Sequence, residues 1–157
     1  MPDFLNSPPP AATLFFTVNL AQSGSDLLIR EIDTLRAAFH RTWLKRPWGF
    51  DAIVVLPDKL HAVVSLPPDD LDYATRWRVI KGRFSRQLPK GPRRVARSVW
   101  QRRFREHHIN NRADYWAHVR YCWQAPVVCG LVERVVDWPY SSFQRDVREG
   151  RVRADWG

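Results

Sequence analysis

Cysteine is almost missing from these 157 residues, with Cys122 and Cys129 the only two. Two thiols lying close together around Pro126 make no disulfide framework, so reduced thiols and a cytoplasmic location are expected. No apolar run approaches the roughly 20 residues that a membrane span needs. The opening Met1-Pro2-Asp3-Phe4 has neither the charged start nor the long apolar stretch of a secretory signal. There is no internal repeat and no domain linker. Acidic residues are in short supply: 16 Asp and Glu face 25 Lys and Arg, leaving a formal charge of +9.

The length suits one domain, since a chain of this size buries roughly 70% of its unfolded surface. Hydrophobic residues make up 45%, a globular composition. The basic excess favours polyanionic partners through phosphate contact and counterion release. Arginine greatly outnumbers lysine, and its planar fork suits bidentate phosphate contact. Eight tryptophans accompany it. Rings and guanidinium planes both stack on unpaired bases, which points to nucleic acid. An inert basic surface is the plain alternative.

Thr13 to Leu20 is β-branched and aromatic and predicts a first strand. Ser23-Gly24-Ser25-Asp26 predicts a turn, with Ser25 or Asp26 capping a helix. Leu28, Ile32, Leu35 and Phe39 then mark one helical face running to about Lys45. Phe50–Leu56 and Leu60–Leu66, joined by Pro57-Asp58-Lys59, predict a β-hairpin. Pro67-Pro68-Asp69-Asp70 starts another helix, with Tyr73, Trp77, Ile80, Phe84 and Leu88 facing the core. Arg76, Lys81, Arg83 and Arg86 take its other faces, as candidates for phosphate contact.

Pro89-Lys90-Gly91-Pro92 predicts a short loop. Val99 to Ile109 predicts a strand, with Trp100 and Phe104 on one side and Arg103 and Arg105 on the other. Asn110 or Asn111 would cap a helix from about Arg112 to Gln124, closed by Pro126. The expected organisation is an N-terminal arm over 1–12 containing Pro8-Pro9-Pro10, a domain over 13–147 and a basic tail over 148–157. The expected fold is α+β: a single domain with an antiparallel sheet of four to five strands and helices packed against it.

Residues i and i+2 on a strand share a face, so Lys59 and His61 project side by side at the hairpin mouth. Two imidazoles there would hold a divalent cation. A protonated lysine has no lone pair to offer one. His107 and His108 form another histidine pair, but neighbours on a strand point to opposite faces, so one inward and one exposed ring is expected. On spacing alone, His61 and Tyr121 both also read as ordinary packing residues.

Val55-Leu56-Pro57-Asp58-Lys59-Leu60-His61 resembles the hydrophobic-Pro-Asp/Asn-His-hydrophobic-His segment of the REP-associated tyrosine transposases, a single-tyrosine HUH transposase family. Trp100-Gln101-Arg102-Arg103-Phe104 with Glu106-His107 is similar to that family's Trp-Gln-x-x-Phe-x-Glu/Asp-His strand. Tyr121 to Pro126 followed by Gly130-Leu131-Val132 is similar to its Tyr-Ile-x-x-Asn-Pro-Val-x-x-Gly-Leu-Val stretch. Trp138-Pro139-Tyr140-Ser141-Ser142-Phe143 matches its Trp-Pro-aromatic-Ser-Ser-Phe segment. The four blocks occur in the family's order and cover about residues 12–147.

The resemblance implies an HUH fold that cleaves and rejoins single-stranded DNA beside a repeat hairpin. In that family a tyrosine hydroxyl attacks a phosphodiester, giving a 5′-phosphotyrosine and a free 3′-hydroxyl. Two histidines and an Asn or Gln hold Mg²⁺ or Mn²⁺. Carried over by position, Tyr121 is the nucleophile and His61 the second histidine. The expected partner is single-stranded or hairpin DNA, with Arg76, Lys81, Arg83, Arg86, Arg103 and Arg105 as its contacts. A second copy of the chain is a further candidate partner.

Two positions depart from the pattern. Lys59 stands where the first histidine belongs, and Ala125 where the Asn belongs. Gln124 is adjacent, but one residue rotates a side chain by about 100° around a helix. Losing two of three ligands predicts loss of ordinary metal affinity, with Lys59 left to place a point charge on the phosphate. Three readings follow: a weakened, metal-independent nuclease using Tyr121, a hairpin-binding module without chemistry, and an RNA-binding protein.

Overall fold

The structure is a computed structural model and describes residues 12–89 and 99–157. Most of the predicted N-terminal arm, and the predicted loop beyond Pro89, lie outside the described residues. Among the described residues, four strands form one antiparallel sheet: β1 (Thr13–Asn19), β2 (Gly49–Val55), β3 (Lys59–Ser65) and β4 (Arg105–His108). Their order is β2-β3-β1-β4, which places β1 and β3 at the centre. The helices are α1 (Leu27–Arg30), α2 (Ile32–Lys45), α3 (Tyr73–Gln87), α4 (Arg112–Val128) and α5 (Phe143–Arg148). The fold is the expected single-domain α+β arrangement. Among the described residues, no helix is long and apolar enough to cross a membrane.

Alternation along the central strands gives the sheet two buried faces. Leu14, Phe16 and Val18 of β1 join Leu60, Ala62 and Val64 of β3 under α2 and α3. Phe15 of β1 and Val63 of β3 point the other way, packing beneath Tyr115, Val119, Cys122 and Trp123 of α4. His61 and Thr17 share this second face by the same alternation. The period-two pattern therefore carries His61 beneath the helix that bears Tyr121.

The Trp138–Phe143 segment covers the edge of β2. Val55 N donates to Tyr140 O at 2.8 Å, Ser142 N to Ile53 O at 2.8 Å, and Trp138 Nε1 to Val55 O at 2.9 Å. An edge strand left open would expose unpaired backbone groups, so this motif has a structural use. The C-terminal residues fold back as well, with the Trp156 and Trp123 ring centroids 5.1 Å apart.

Several expectations need correction. The helix predicted from Leu28 is two helices, because Glu31, at φ −112 and ψ 37, leaves the helical region. Ser25 supplies the capping oxygen, accepting from Leu27 N at 3.2 Å, while Asp26 pairs with Arg30. β4 spans only four residues, since Trp100 makes an isolated bridge to Leu20 and the chain bends before Phe104. Arg103 is thus outside the strand. α4 does not stop at Pro126 but contains it. A proline in the last turn loses one hydrogen bond, and burial of Trp123, Ala125 and Pro126 on the sheet outweighs that loss. Gly130, at φ +75, ends the helix where an L side chain would be strained.

Candidate functional site

The β2–β3 turn is fixed by its backbone: Leu56 N donates to Lys59 O at 2.8 Å, and Leu20 N to Asp58 O at 2.9 Å. Asp58 also accepts from Gly24 N at 2.9 Å. Lys59 and His61 follow on one face of β3. Across the sheet, His61 is in register with Thr17, and Thr17 with Arg105; Lys59 is in register with Asn19. Lys59, His61 and Arg105 therefore share the face covered by α4.

His61 is 5% exposed, and its Nδ1 lies 2.8 Å from Thr17 Oγ1. Burial, and then the charge of Lys59, pushes its pKa down to about 4. At neutral pH it offers a lone pair and carries no charge. Tyr121 stands over it from α4, with ring centroids 5.0 Å apart at an interplanar angle of 77°. Phe15 packs edge-on against the same phenol at 5.7 Å and 89°. Tyr121 is nevertheless 53% exposed. The site combines an open phenol, a neutral imidazole and a lysine, with its backing ring Phe15 partly buried between the sheet and α4.

The expected three-ligand cation site does not fit these residues. Ala125 is buried and offers a methyl group. Lys59 offers a protonated amine. Among the described residues, the one group of three potential ligands within mutual reach is His107, Asp114 and His118, which excludes His61. Sequence reading missed Asp114 and His118, whose spacing of four on a helix was the available signal. It also missed Thr17 and Phe15, which only strand register reveals.

The six basic candidates separate into different environments. Arg76 is 0% exposed and is not a solvent-facing contact. Its guanidinium donates to the carbonyls of Arg46, Pro47, Asp70 and Asp72 and to Asp70 Oδ2, tying the start of α3 to the end of α2. Lys81 donates to Gln101 O at 2.9 Å, and desolvation lowers its pKa. Arg83 and Arg86 line a cleft of about 400 Å³ between α2 and α3, together with Arg41 and Asp33. Arg83 Nε is buried there without a hydrogen-bond partner among the described residues, and Arg86 lies back over Gly82, where a Cβ would meet Nη1 at 2.9 Å. Arg103 and Arg105 are exposed. A second cavity of about 450 Å³, lined by α2, β2 and residues 139–145, contains neither Tyr121 nor His61.

No family model matches the chain. The chain is 42% identical over 144 residues to a REP-associated tyrosine transposase of Escherichia coli K12, covering 92% of this chain and 84% of that protein. A putative REP-associated tyrosine transposase of Haemophilus influenzae is 40% identical over 151 residues, covering 91% and 86%. A solved structure of a REP-associated tyrosine transposase bound to a REP hairpin superposes with a TM-score of 0.86 at 41% identity. It covers 94% of this chain and 86% of that one. The four-stranded antiparallel sheet with its packed helices matches the fold of that solved structure. This chain belongs to the REP-associated tyrosine transposase family.

Proposed function

We propose that this chain binds a DNA hairpin with an unpaired flank and transfers a phosphodiester of that flank onto Tyr121 without a cation at His61. The phenol gives up its proton and its oxygen attacks phosphorus. The 3′-oxygen leaves and takes a proton, giving a 5′-phosphotyrosine and a free 3′-hydroxyl. Attack by another 3′-hydroxyl reverses the step and regenerates the phenol. Lys59 supplies positive charge to the phosphate as an ammonium. His61, neutral and held by Thr17, keeps the phenol oriented and offers no like charge to Lys59.

The observation that carries this reading is Tyr121, open to solvent while its ring meets His61 at 5.0 Å. The relative solved with a REP hairpin supports the same class of DNA for this chain. The +9 charge, Arg105 on the Tyr121 face and the Arg41–Arg83–Arg86 cleft support polyanion binding. Two free cysteines, one buried and one exposed, support the expected cytoplasmic location.

A second reading, hairpin binding without chemistry, is favoured by one fact: no three-ligand group among the described residues includes His61. Denaturing electrophoresis after incubation with end-labelled hairpin DNA separates the two. A Tyr121-dependent adduct in excess chelator supports phosphoryl transfer. Binding with no adduct under any metal condition leaves the second reading. Competition with an RNA hairpin of the same sequence at fixed salt tests the nucleic-acid class.

A further inference from the structure

Phe15 has a second aromatic neighbour besides Tyr121. His118 of α4 lies against it at 4.7 Å between centroids. His118 in turn stacks on His107 of β4, at 4.7 Å and an interplanar angle of 23°. The two rings meet at Asp114, in the first turn of α4. His107 Nε2 is 2.7 Å from Asp114 Oδ2, and His118 Nδ1 is 3.1 Å from Asp114 Oδ1. One potential ligand atom from each residue lies within 4.8 Å of those of the other two.

We propose that His107, Asp114 and His118 form a site for one divalent transition-metal cation of the Zn²⁺ class, separate from the His61 position. Two imidazoles and one carboxylate are a borderline nitrogen and oxygen set, suited to Zn²⁺, Co²⁺ or Mn²⁺ and poorly suited to Mg²⁺.

Three observations support ligation. His118 Nδ1 faces two acceptors, Asp114 O at 2.8 Å and Asp114 Oδ1 at 3.1 Å. Nδ1 is thus the His118 nitrogen aimed at Asp114, as Nε2 is for His107. Second, the Asp114 carboxylate turns one oxygen to each ring, Oδ2 to His107 and Oδ1 to His118. Third, the trio's side chains are 40%, 17% and 24% exposed, open enough for entry and shielded enough to hold a charge.

Asp114 is already anchored, accepting from Asn110 N at 2.9 Å, so the carboxylate is fixed before any ion arrives. A bound cation would pin β4 to the first turns of α4. His118 is one helical turn before Tyr121, so this clamp would also fix the helix that presents the phenol. Three protein ligands leave a position for water or a phosphate oxygen.

The test uses the full chain, stripped with chelator and titrated with Co²⁺ alone. The expected result is a visible ligand-field band saturating at one ion per chain and displaced by Zn²⁺. Asp114→Asn and His118→Asn should each weaken Co²⁺ binding tenfold or more, with folding checked by circular dichroism. His108→Ala, on the opposite strand face, should bind as the wild type does. Ring-nitrogen NMR of the unmutated chain needs no variant: Zn²⁺ should shift the His107 and His118 signals and leave those of His40 and His108. No stoichiometric band, a band that survives in both folded variants, or unmoved His107 and His118 signals would overturn the proposal.

Discussion

Thr17 Oγ1 and His61 Nδ1 lie 2.8 Å apart across the β1–β3 pair, at a register position that also aligns Arg105. The pairing holds a histidine in a nearly solvent-free pocket, and the cost of charging it there adds to the fold's sensitivity to acid. Unfolded His61 takes up a proton as the pH falls through about 6.5. Folded His61 resists until about 4. The stabilising difference is fully present above 6.5, shrinks as the pH drops, and is exhausted near 4, where both states are protonated. Over that window it amounts to about 3 kcal/mol. Urea unfolding at pH 7 and pH 4.5 should show a smaller acid loss for His61→Gln than for the wild type. Equal losses would contradict the assignment.

Lys59 carries the phosphate charge in the proposed reaction. Lys59→Met should slow adduct formation at least tenfold while changing hairpin affinity little, because one point charge matters most where charge develops in the transition state. Lys59→His with Ala125→Asn should convert a chelator-insensitive reaction into one that Mn²⁺ stimulates. Adduct kinetics with and without chelator read both effects. A Lys59→Met protein as fast as the wild type would remove lysine from the mechanism.

The arginines should separate by function. Arg83→Gln and Arg86→Gln should each reduce the slope of log affinity against log salt by about 0.7–0.9, as expected for one lost phosphate contact. Arg76→Ala should leave that slope alone and instead destabilise the fold, since it leaves four carbonyls without the guanidinium, at about 1–3 kcal/mol for each one left buried and unsatisfied, while Asp70 keeps Arg46. Fluorescence anisotropy across a salt series, together with denaturant melts, distinguishes the two patterns.

The sheet and its hairpin were legible because alternation along Thr13–Asn19 and Lys59–Ser65 dictates which residues face α4. The positions of Lys59, His61 and Tyr121 were legible from motif order. Other features depended on contacts between distant segments. Arg76 looked like a polar-face residue because nothing local shows that carbonyls from Arg46 to Asp72 converge on it. Pro126 looked like a stop because local rules weigh one missing hydrogen bond and not the burial of its neighbours. His107 looked like half of a strand pair, and only the packing of β4 against α4 brings Asp114 and His118 to it.

The most direct test of the central claim is the fate of labelled hairpin DNA incubated with wild-type and Tyr121→Phe protein in excess chelator, resolved under denaturing conditions. A shifted band in the wild-type lane that is absent with Tyr121→Phe is the predicted result. An equal band in both lanes, or none in either lane despite bound DNA, would contradict it.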